Sequence, residues 1–301
     1  MAVKLGKFTI DGGILAPMAG YTDIAFRTLA IECGAALTVT EMVSVRGLRY
    51  DSKKTEMLMR LSEKENPSCI QLFGSDPKDF FSAAKIVHCD VIDVNMGCPM
   101  PKIVKNGDGA ALLKNPALAG QIVGAIKDAT DRPVTVKTRL GYRMGEDNAT
   151  ELIDSVQRAG AAAVAVHGRY AEQRYTGAAD FGAVQKIAQS ANIPIIYNGD
   201  VCDLLSPEPP IAAYMIGRYA LSNPNVFRQK DKSPFEVARR HMELLSQYFD
   251  ERYTINQARK FFVHYFRGVT GGKDLRAAVN TADSVSDVLY ALDKCEKINK
   301  Q

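Results

Sequence analysis

The sequence predicts an α/β fold, a closed (β/α)8 TIM barrel followed by a small all-α helical domain. Three observations carry this. Eight short β-rich apolar runs recur between residues 14 and 217. Helix-like segments fill most of the gaps, and strands alternating with helices pair in parallel, because a parallel crossover needs a dozen or more residues. After Phe227 the pattern changes to helical spacing alone. An open doubly wound sheet is the alternative; the even pacing of eight units favours closure.

In chain order the strands are ILAPM (14–18), LTVTEM (37–42), SCIQLF (68–73), VIDVN (91–95), PVTVK (133–137), AVAVHG (163–168), PIIYNG (194–199) and AYMIG (213–217). Between them lie DIAFRTLAIECGA, PKDFFSAAKIVHC, PALAGQIVGAIKDAT, ATELIDSVQRAGA and DFGAVQKIAQSAN, which read as helices. The seventh interval is different. Pro207, Pro209 and Pro210 exclude a regular helix, so a single turn or a loop is expected. In the tail, 234–250, 254–268, 273–280 and 284–299 carry apolar residues at helical spacing. A boundary near residue 230, in the polar run RQKDKS, separates a barrel of residues 1–230 from a helical domain of residues 231–301.

Composition limits the function classes. The 301 residues are 46% apolar and 24% charged, without low-complexity runs or repeats. No stretch reaches the ~18 apolar residues of a membrane span. The N-terminal MAVKLGKFTIDGGILAPM lacks a secretory apolar region with a cleavage site. A cytoplasmic chain, not attached to a membrane, is the expectation. Six cysteines form no CxxC pair and four histidines show no ligand spacing, so neither a disulfide framework nor a metal is expected. The net charge of +4 permits an anionic partner without demanding one.

A barrel of this kind carries its function at the C-terminal ends of its strands. Read in order, those ends present Pro17, Met18 and Ala19; Glu41; Gln71; Asn95 followed by Cys98; Lys137 and Arg139; His167; Asn198, Gly199 and Asp200; and Gly217 with Arg218. A ring of polar groups around one mouth points to a site. Glycines at the ends of strands seven and eight let backbone approach an anion closely, and Arg218 offers a planar fork, which suits a phosphate. Lys137 suits either of two chemistries, charge balance for a reduced flavin or Schiff-base formation, and spacing does not separate them.

The segments APMAGYTDIAFRTLAIECGAALTVTEMVS, QLFG, VNMGCPMPKIVKNGDGAALL, VKTRLGY, VHGR, NGDV and MIGR follow one another in this order. Together they resemble the tRNA-dihydrouridine synthase family over about residues 13–227, and the helical tail resembles that family's C-terminal domain. The resemblance implies reduction of the C5–C6 double bond of selected uridines in tRNA, with FMN as cofactor and NADPH as electron donor. It implies that FMN is held by Pro17, Met18, Ala19, Gln71, Lys137, Asn198, Gly199, Asp200, Gly217 and Arg218, with Arg139 and His167 beside the flavin or the base and Asn95 near the uracil. Hydride would pass from flavin N5 to C6, and Cys98 would donate the proton to C5. A proton donor must begin as the thiol, so an undepressed pKa is wanted. Pro99 would stiffen its loop, and Gly107 and Gly109 would let the returning turn pack on the barrel rim.

An RNA substrate needs a cationic track, and its target base must leave the stack. Residues 252–276 carry Arg252, Arg259, Lys260, Arg267, Lys273 and Arg276 against Asp274 alone. Tyr253, Phe261, Phe262, Tyr265 and Phe266 interleave with them. Seven-residue spacing pairs Arg252 with Arg259 and Lys260 with Arg267 on shared helical faces. One face reads as aromatic core and the other as a phosphate track, with a monomer as the expected assembly. Two departures from the family pattern stand out: Asn225 occupies the position of a tryptophan, and Tyr170-Ala171 replaces a Thr-Arg pair, while Gln173, Tyr175 and Gly177 remain. The rival readings are a small-molecule FMN oxidoreductase of dihydroorotate-dehydrogenase type and a non-catalytic RNA-binding barrel.

Overall fold

The structure is a computed structural model that describes residues 2–50, 53–203, 207–227 and 231–300. An antiparallel hairpin, Val3–Leu5 with Phe8–Ile10, comes first. The barrel strands follow: β1 (Ile14–Leu15), β2 (Leu37–Thr38 continuing as Val43–Ser44), β3 (Cys69–Phe73), β4 (Val91–Asn95), β5 (Val134–Arg139), β6 (Ala163–His167), β7 (Ile195–Asn198) and β8 (Ala213–Ile216). Neighbours pair in parallel throughout. β8 returns to β1, and β2 is broken: its first half pairs with β1 and its second with β3. The ring is therefore completed through the chain itself, and Thr40, in the break, donates its N–H to the Cys69 carbonyl at 3.1 Å.

All eight expected strands are present. The hairpin had no counterpart in the sequence reading, and its three-residue strands explain why. Its Val3, Leu5 and Ile10 pack with Cys69, Val91 and Ala163 and close the N-terminal end of the barrel.

Helices α1 (Ile24–Glu32), α2 (Lys53–Met59), α3 (Pro77–Ile86), α4 (Pro101–Val104), α5 (Pro116–Ala129), α6 (Asn148–Arg158), α7 (Phe181–Ser190) and α8 (Arg218–Ser222) accompany the strands. Most start on a side-chain cap. Asp23, Asp76, Asn115, Asp147 and Asp180 each accept an orphan N–H of the first turn. α2 and α4 are short additions on the rim. Among the described residues no helix joins β7 to β8, as the prolines require.

Side chains along a strand alternate between faces. The outward set, including Leu72, Val94, Val136 and Val166, packs under Phe80, Ile122, Leu152 and Val184 of the helices. The inward set changes character along the axis. Register places Gln71 opposite Asp93 and Asp93 opposite Thr135, one layer below Asn95 opposite Lys137, and then Arg139 opposite His167 and His167 opposite Asn198. The barrel interior is thus apolar at the bottom and polar at the mouth.

The tail forms α9 (Pro234–Tyr248), α10 (Glu251–Tyr265), α11 (Gly272–Thr281) and α12 (Val285–Asn299), with capping boxes Ser233/Glu236 and Ser284/Asp287. The boundary near residue 230 touches residues 228–230, outside the described residues. Phe235, Phe261, Phe262, Phe266, Leu275 and Leu292 share one continuous core with Phe26 and Leu29 of α1 and Ile216 of β8. Arg240 and Lys64 both pair with Glu32 and tie α9 to the barrel. The tail is therefore seated on the rim beside the loop after β1. No described helix is long and apolar enough to cross a membrane.

Candidate active site

Cys98 sits half-buried on the loop after β4. Its backbone N–H donates to Asn95 Oδ1 at 3.0 Å, and its carbonyl accepts from the Ala110 N–H at 3.0 Å. Gly109 has φ +60° and lies directly beneath: a Cβ there would stand 2.8 Å from the Cys98 carbonyl oxygen and 3.2 Å from Cys98 Cβ. That close approach answers to glycine alone. Burial pushes the Cys98 thiol above its usual range, with the opposing pull of Arg139 and Lys137 smaller. At neutral pH the group is the thiol.

Asn95 Nδ2 donates to Gln71 Oε1 at 2.9 Å, and Gln71 Nε2 donates to Asp93 Oδ2 at 2.7 Å. Thr135 Oγ1 donates to the other Asp93 oxygen at 2.6 Å. Burial pushes Asp93 up to about 6, against these hydrogen bonds and the charge of Lys137. Gln71 and Asn95 therefore meet each other inside the mouth, and Asp93, absent from the sequence reading, lies beneath both. A carboxylate at an inward position of VIDVN is the signal that was available.

Lys137 Nζ donates to Asn198 Oδ1 at 2.8 Å, and Asn198 Nδ2 donates to the Met215 carbonyl at 2.7 Å. Burial, then the neighbouring Arg139, holds Lys137 down at about 8, so it remains largely cationic at pH 7 with two further N–H donors to offer. Arg139 is committed differently. Its guanidinium donates to the carbonyls of Gly97, Tyr170 and Arg174 at 2.9, 3.0 and 2.8 Å. It braces the loops after β4 and β6 against each other.

His167 is buried at the end of β6, and burial followed by the charge of Lys137 lowers its pKa so far that the ring is neutral. Arg169 of VHGR, which strand-end position alone does not mark, is almost wholly buried. It donates to the Gly177 carbonyl and to Asp200 Oδ2, each at 2.6 Å, and stands 3.2 Å from His167 Nε2. Asp200 also accepts from the Ala179 N–H and from Arg218. It is thus a hub joining the loops after β6, β7 and β8. Gly199 has φ +132°, and a Cβ there would lie 2.6 Å from Ala179 Cβ. Arg218 is half exposed over the ring of Tyr175, 4.8 Å from its centroid. Pro17, Met18 and Ala19 form the loop after β1, and Met18 Sδ lies 3.8 Å from where a Cβ on Gly217 would be.

The basic residues of the tail divide. Arg252, Arg267 and Lys273 are exposed. Arg259 caps α11 instead, donating to the carbonyls of Val279 and Ala282. Arg276 donates to the Phe266 carbonyl at 2.8 Å. Lys260 turns toward the mouth, 4.0 Å from the Tyr21 ring centroid. α10 ends at Tyr265, so Lys260 and Arg267 do not share one helix. The aromatic residues Phe261, Phe262, Tyr265 and Phe266 are core, as the spacing indicates.

Comparison with known proteins identifies the family. The dihydrouridine synthase (Dus) family model matches residues 14–301. tRNA-dihydrouridine synthase B of Proteus vulgaris is 32% identical, with 97% of each chain covered. The Pseudomonas putida protein of the same name is 35% identical over 94% of this chain and 90% of its own. The probable tRNA-dihydrouridine synthase of Treponema pallidum is 35% identical over 89% and 88%. Among solved structures, DHODH of Eimeria tenella in complex with ferulenol superposes with a TM-score of 0.54 at 12% identity, covering 85% of this chain and 87% of that one. A variant of NCR from Zymomonas mobilis gives 0.52 at 14% identity over 84% and 96%. These two share the fold alone. With the family model spanning all but the first strands and relatives above 30% identity along nearly their whole length, the chain belongs to the dihydrouridine synthase family.

Proposed function

We propose that this protein reduces the C5–C6 double bond of uridines in tRNA, with FMN as its cofactor and NADPH as the electron source. Family membership supports the reaction, and the names of the relatives support tRNA as substrate. The donor set fits an FMN. Lys137 keeps two unused N–H donors on a buried cation, which suits the electron-rich edge of a reduced flavin. Arg218 is half exposed and suits a phosphate, next to Gly217 at the end of β8. Gln71 and Asn198, each with an amide partly committed, would fix orientation, with Pro17, Met18, Ala19, Gly199 and Asp200 as the surrounding wall. When bound and reduced, FMN supplies the hydride for C6 of the uracil.

Everything else falls to the chain. Cys98 holds the proton for C5 on its sulfur, and the single observation that carries the reading is the half-buried position of this residue, held at the mouth by Asn95. His167, neutral and next to Arg169, serves as a hydrogen-bonding group and not as an acid. Arg139 shapes the pocket by bracing its loops. The helical residues 231–301 act as a tRNA-binding domain, with exposed Arg252, Arg267 and Lys273 meeting phosphates and Lys260 at the mouth. The test is Cys98→Ala. It should retain bound flavin and its reduction by NADPH while losing at least ~100-fold in dihydrouridine formation on tRNA. An unchanged yield at neutral pH would remove Cys98 from the mechanism.

A further inference from the structure

We propose that Asp93 is a positioning residue for Cys98, terminating a one-way chain of hydrogen bonds that runs from the Cys98 backbone through Asn95 and Gln71. The inference rests on the reading of Cys98 as the proton donor. Its basis is directional. The chain begins at the N–H groups of Gly97 and Cys98, which are backbone donors and cannot be reversed; both lie within reach of Asn95 Oδ1, at 3.3 and 3.0 Å. That turns Asn95 Nδ2 to Gln71 Oε1 at 2.9 Å, and turns Gln71 Nε2 onward to Asp93 Oδ2 at 2.7 Å. Each side-chain amide in the chain is used both as acceptor and as donor, so the last member must present an acceptor oxygen to Gln71 Nε2. The Asp93 carboxylate does so.

The surroundings leave no substitute. Asp93, Gln71 and Asn95 are 2%, 1% and 8% exposed, so bulk water does not stand in for the Asp93 acceptor. The second Asp93 oxygen is taken by Thr135 Oγ1 at 2.6 Å, and the Gln71 backbone N–H by Thr40 Oγ1 at 3.0 Å. Without an acceptor at position 93, Gln71 either leaves a buried N–H unpaired or flips its amide. A flip sets N–H against the N–H of Asn95 and loosens the Cys98 loop.

The experiment compares flavin-loaded Asp93→Val, Asp93→Asn, Thr135→Val and Cys98→Ala proteins. The readouts are steady-state tRNA reduction, thermal stability, and the rate of Cys98 alkylation by iodoacetamide, followed by peptide mapping. Asp93→Val removes the acceptor. It should lower kcat by ~20-fold or more at unchanged KM for tRNA and speed Cys98 alkylation several-fold, because the loop is freed. Asp93→Asn keeps an acceptor oxygen while losing the charge, and should recover most of both properties. Thr135→Val loses a hydrogen bond to the same carboxylate without touching the chain, and should lower the melting temperature while leaving kcat and alkylation close to wild type. If Asp93→Val does not fold, Gln71→Met interrupts the same chain and should give the same faster alkylation. The proposal is overturned if Asp93→Asn falls as far as Asp93→Val, which would make charge the operative property, or if Asp93→Val lowers kcat no further than Thr135→Val. Full activity in Cys98→Ala would instead end the proton-donor reading, and the alkylation rates would still decide whether Asp93 holds the loop.

Discussion

Gly109→Ala adds one methyl group directly beneath Cys98. Gly109 has φ +60°, a conformation that costs an L-residue about 1–2 kcal/mol. The new Cβ would stand 2.8 Å from the Cys98 carbonyl oxygen, 2.9 Å from Ile103 Cγ2 and 3.2 Å from Cys98 Cβ. The neighbours must move, and overpacking of this kind costs about 1–3 kcal/mol. The total is ~2–5 kcal/mol, with the displacement falling on the loop that carries the thiol. Gly107→Ala is the matched control. Its φ is +83°, but the nearest atoms to an added Cβ are those of Ser75 at 3.6 and 3.7 Å, which is ordinary contact. It should show the conformational cost, about 1–2 kcal/mol, without moving Cys98. Urea unfolding measures the stabilities and dihydrouridine formation on tRNA the consequence. A shift of the acid by about 1 Å should lower turnover by roughly 100-fold in Gly109→Ala, with Gly107→Ala within a few-fold of wild type. Equal activity in the two variants, at flavin contents equal to wild type, would refute the reasoning.

Four further outcomes are expected. Lys137 is lowered from its ordinary 10.5 to about 8, so the unfolded chain binds the extra proton between those values and stability is lost as pH falls through that window; at pH 7, Lys137→Met should raise the urea midpoint of cofactor-free protein and abolish flavin retention, and no change in either measurement would count against the assignment. His241 is buried against Phe26 and Phe261 and is held down at about 3 by burial, so stability present above pH 6.5 is lost on acidification, by ~2 kcal/mol at pH 5. His241→Phe should be less stable at pH 7, because the Tyr265 hydroxyl loses its partner, yet its urea midpoint should depend less on pH between 7 and 5. In the tail, Arg252→Ala with Arg267→Ala should weaken tRNA binding and reduce the salt slope by about 2 without altering the melting temperature. Arg259→Ala should instead destabilise the protein by ~1–2 kcal/mol, since the carbonyls of Val279 and Ala282 lose their donor; unchanged stability would mean that Arg259 is free for RNA after all.

Periodicity made the eight strands, five of the crossover helices and the four tail helices legible, because alternation and helical spacing are properties of neighbouring residues. The prolines of the seventh interval were legible for the same local reason. Strand-end position also assigns Gln71, Asn95, Lys137, His167 and Asn198 to one mouth, and parallel register aligns them in layers. What these side chains do with one another was not legible. Arg139 and Arg259 look like ligands for anions in a linear chain, yet both spend their donors on carbonyls brought near by folding, at Gly97, Tyr170 and Arg174 for one and at Val279 and Ala282 for the other. Asp93 and Arg169 drew no notice as single residues, and their importance comes from partners 22 to 42 positions away in the first case and up to 31 in the second. Local sequence thus determined which elements form and which end of the barrel is polar. Tertiary structure alone decided which polar groups are consumed in holding the mouth together and which are left to act, because a buried donor must find an acceptor, and the fold chooses which acceptors come within reach.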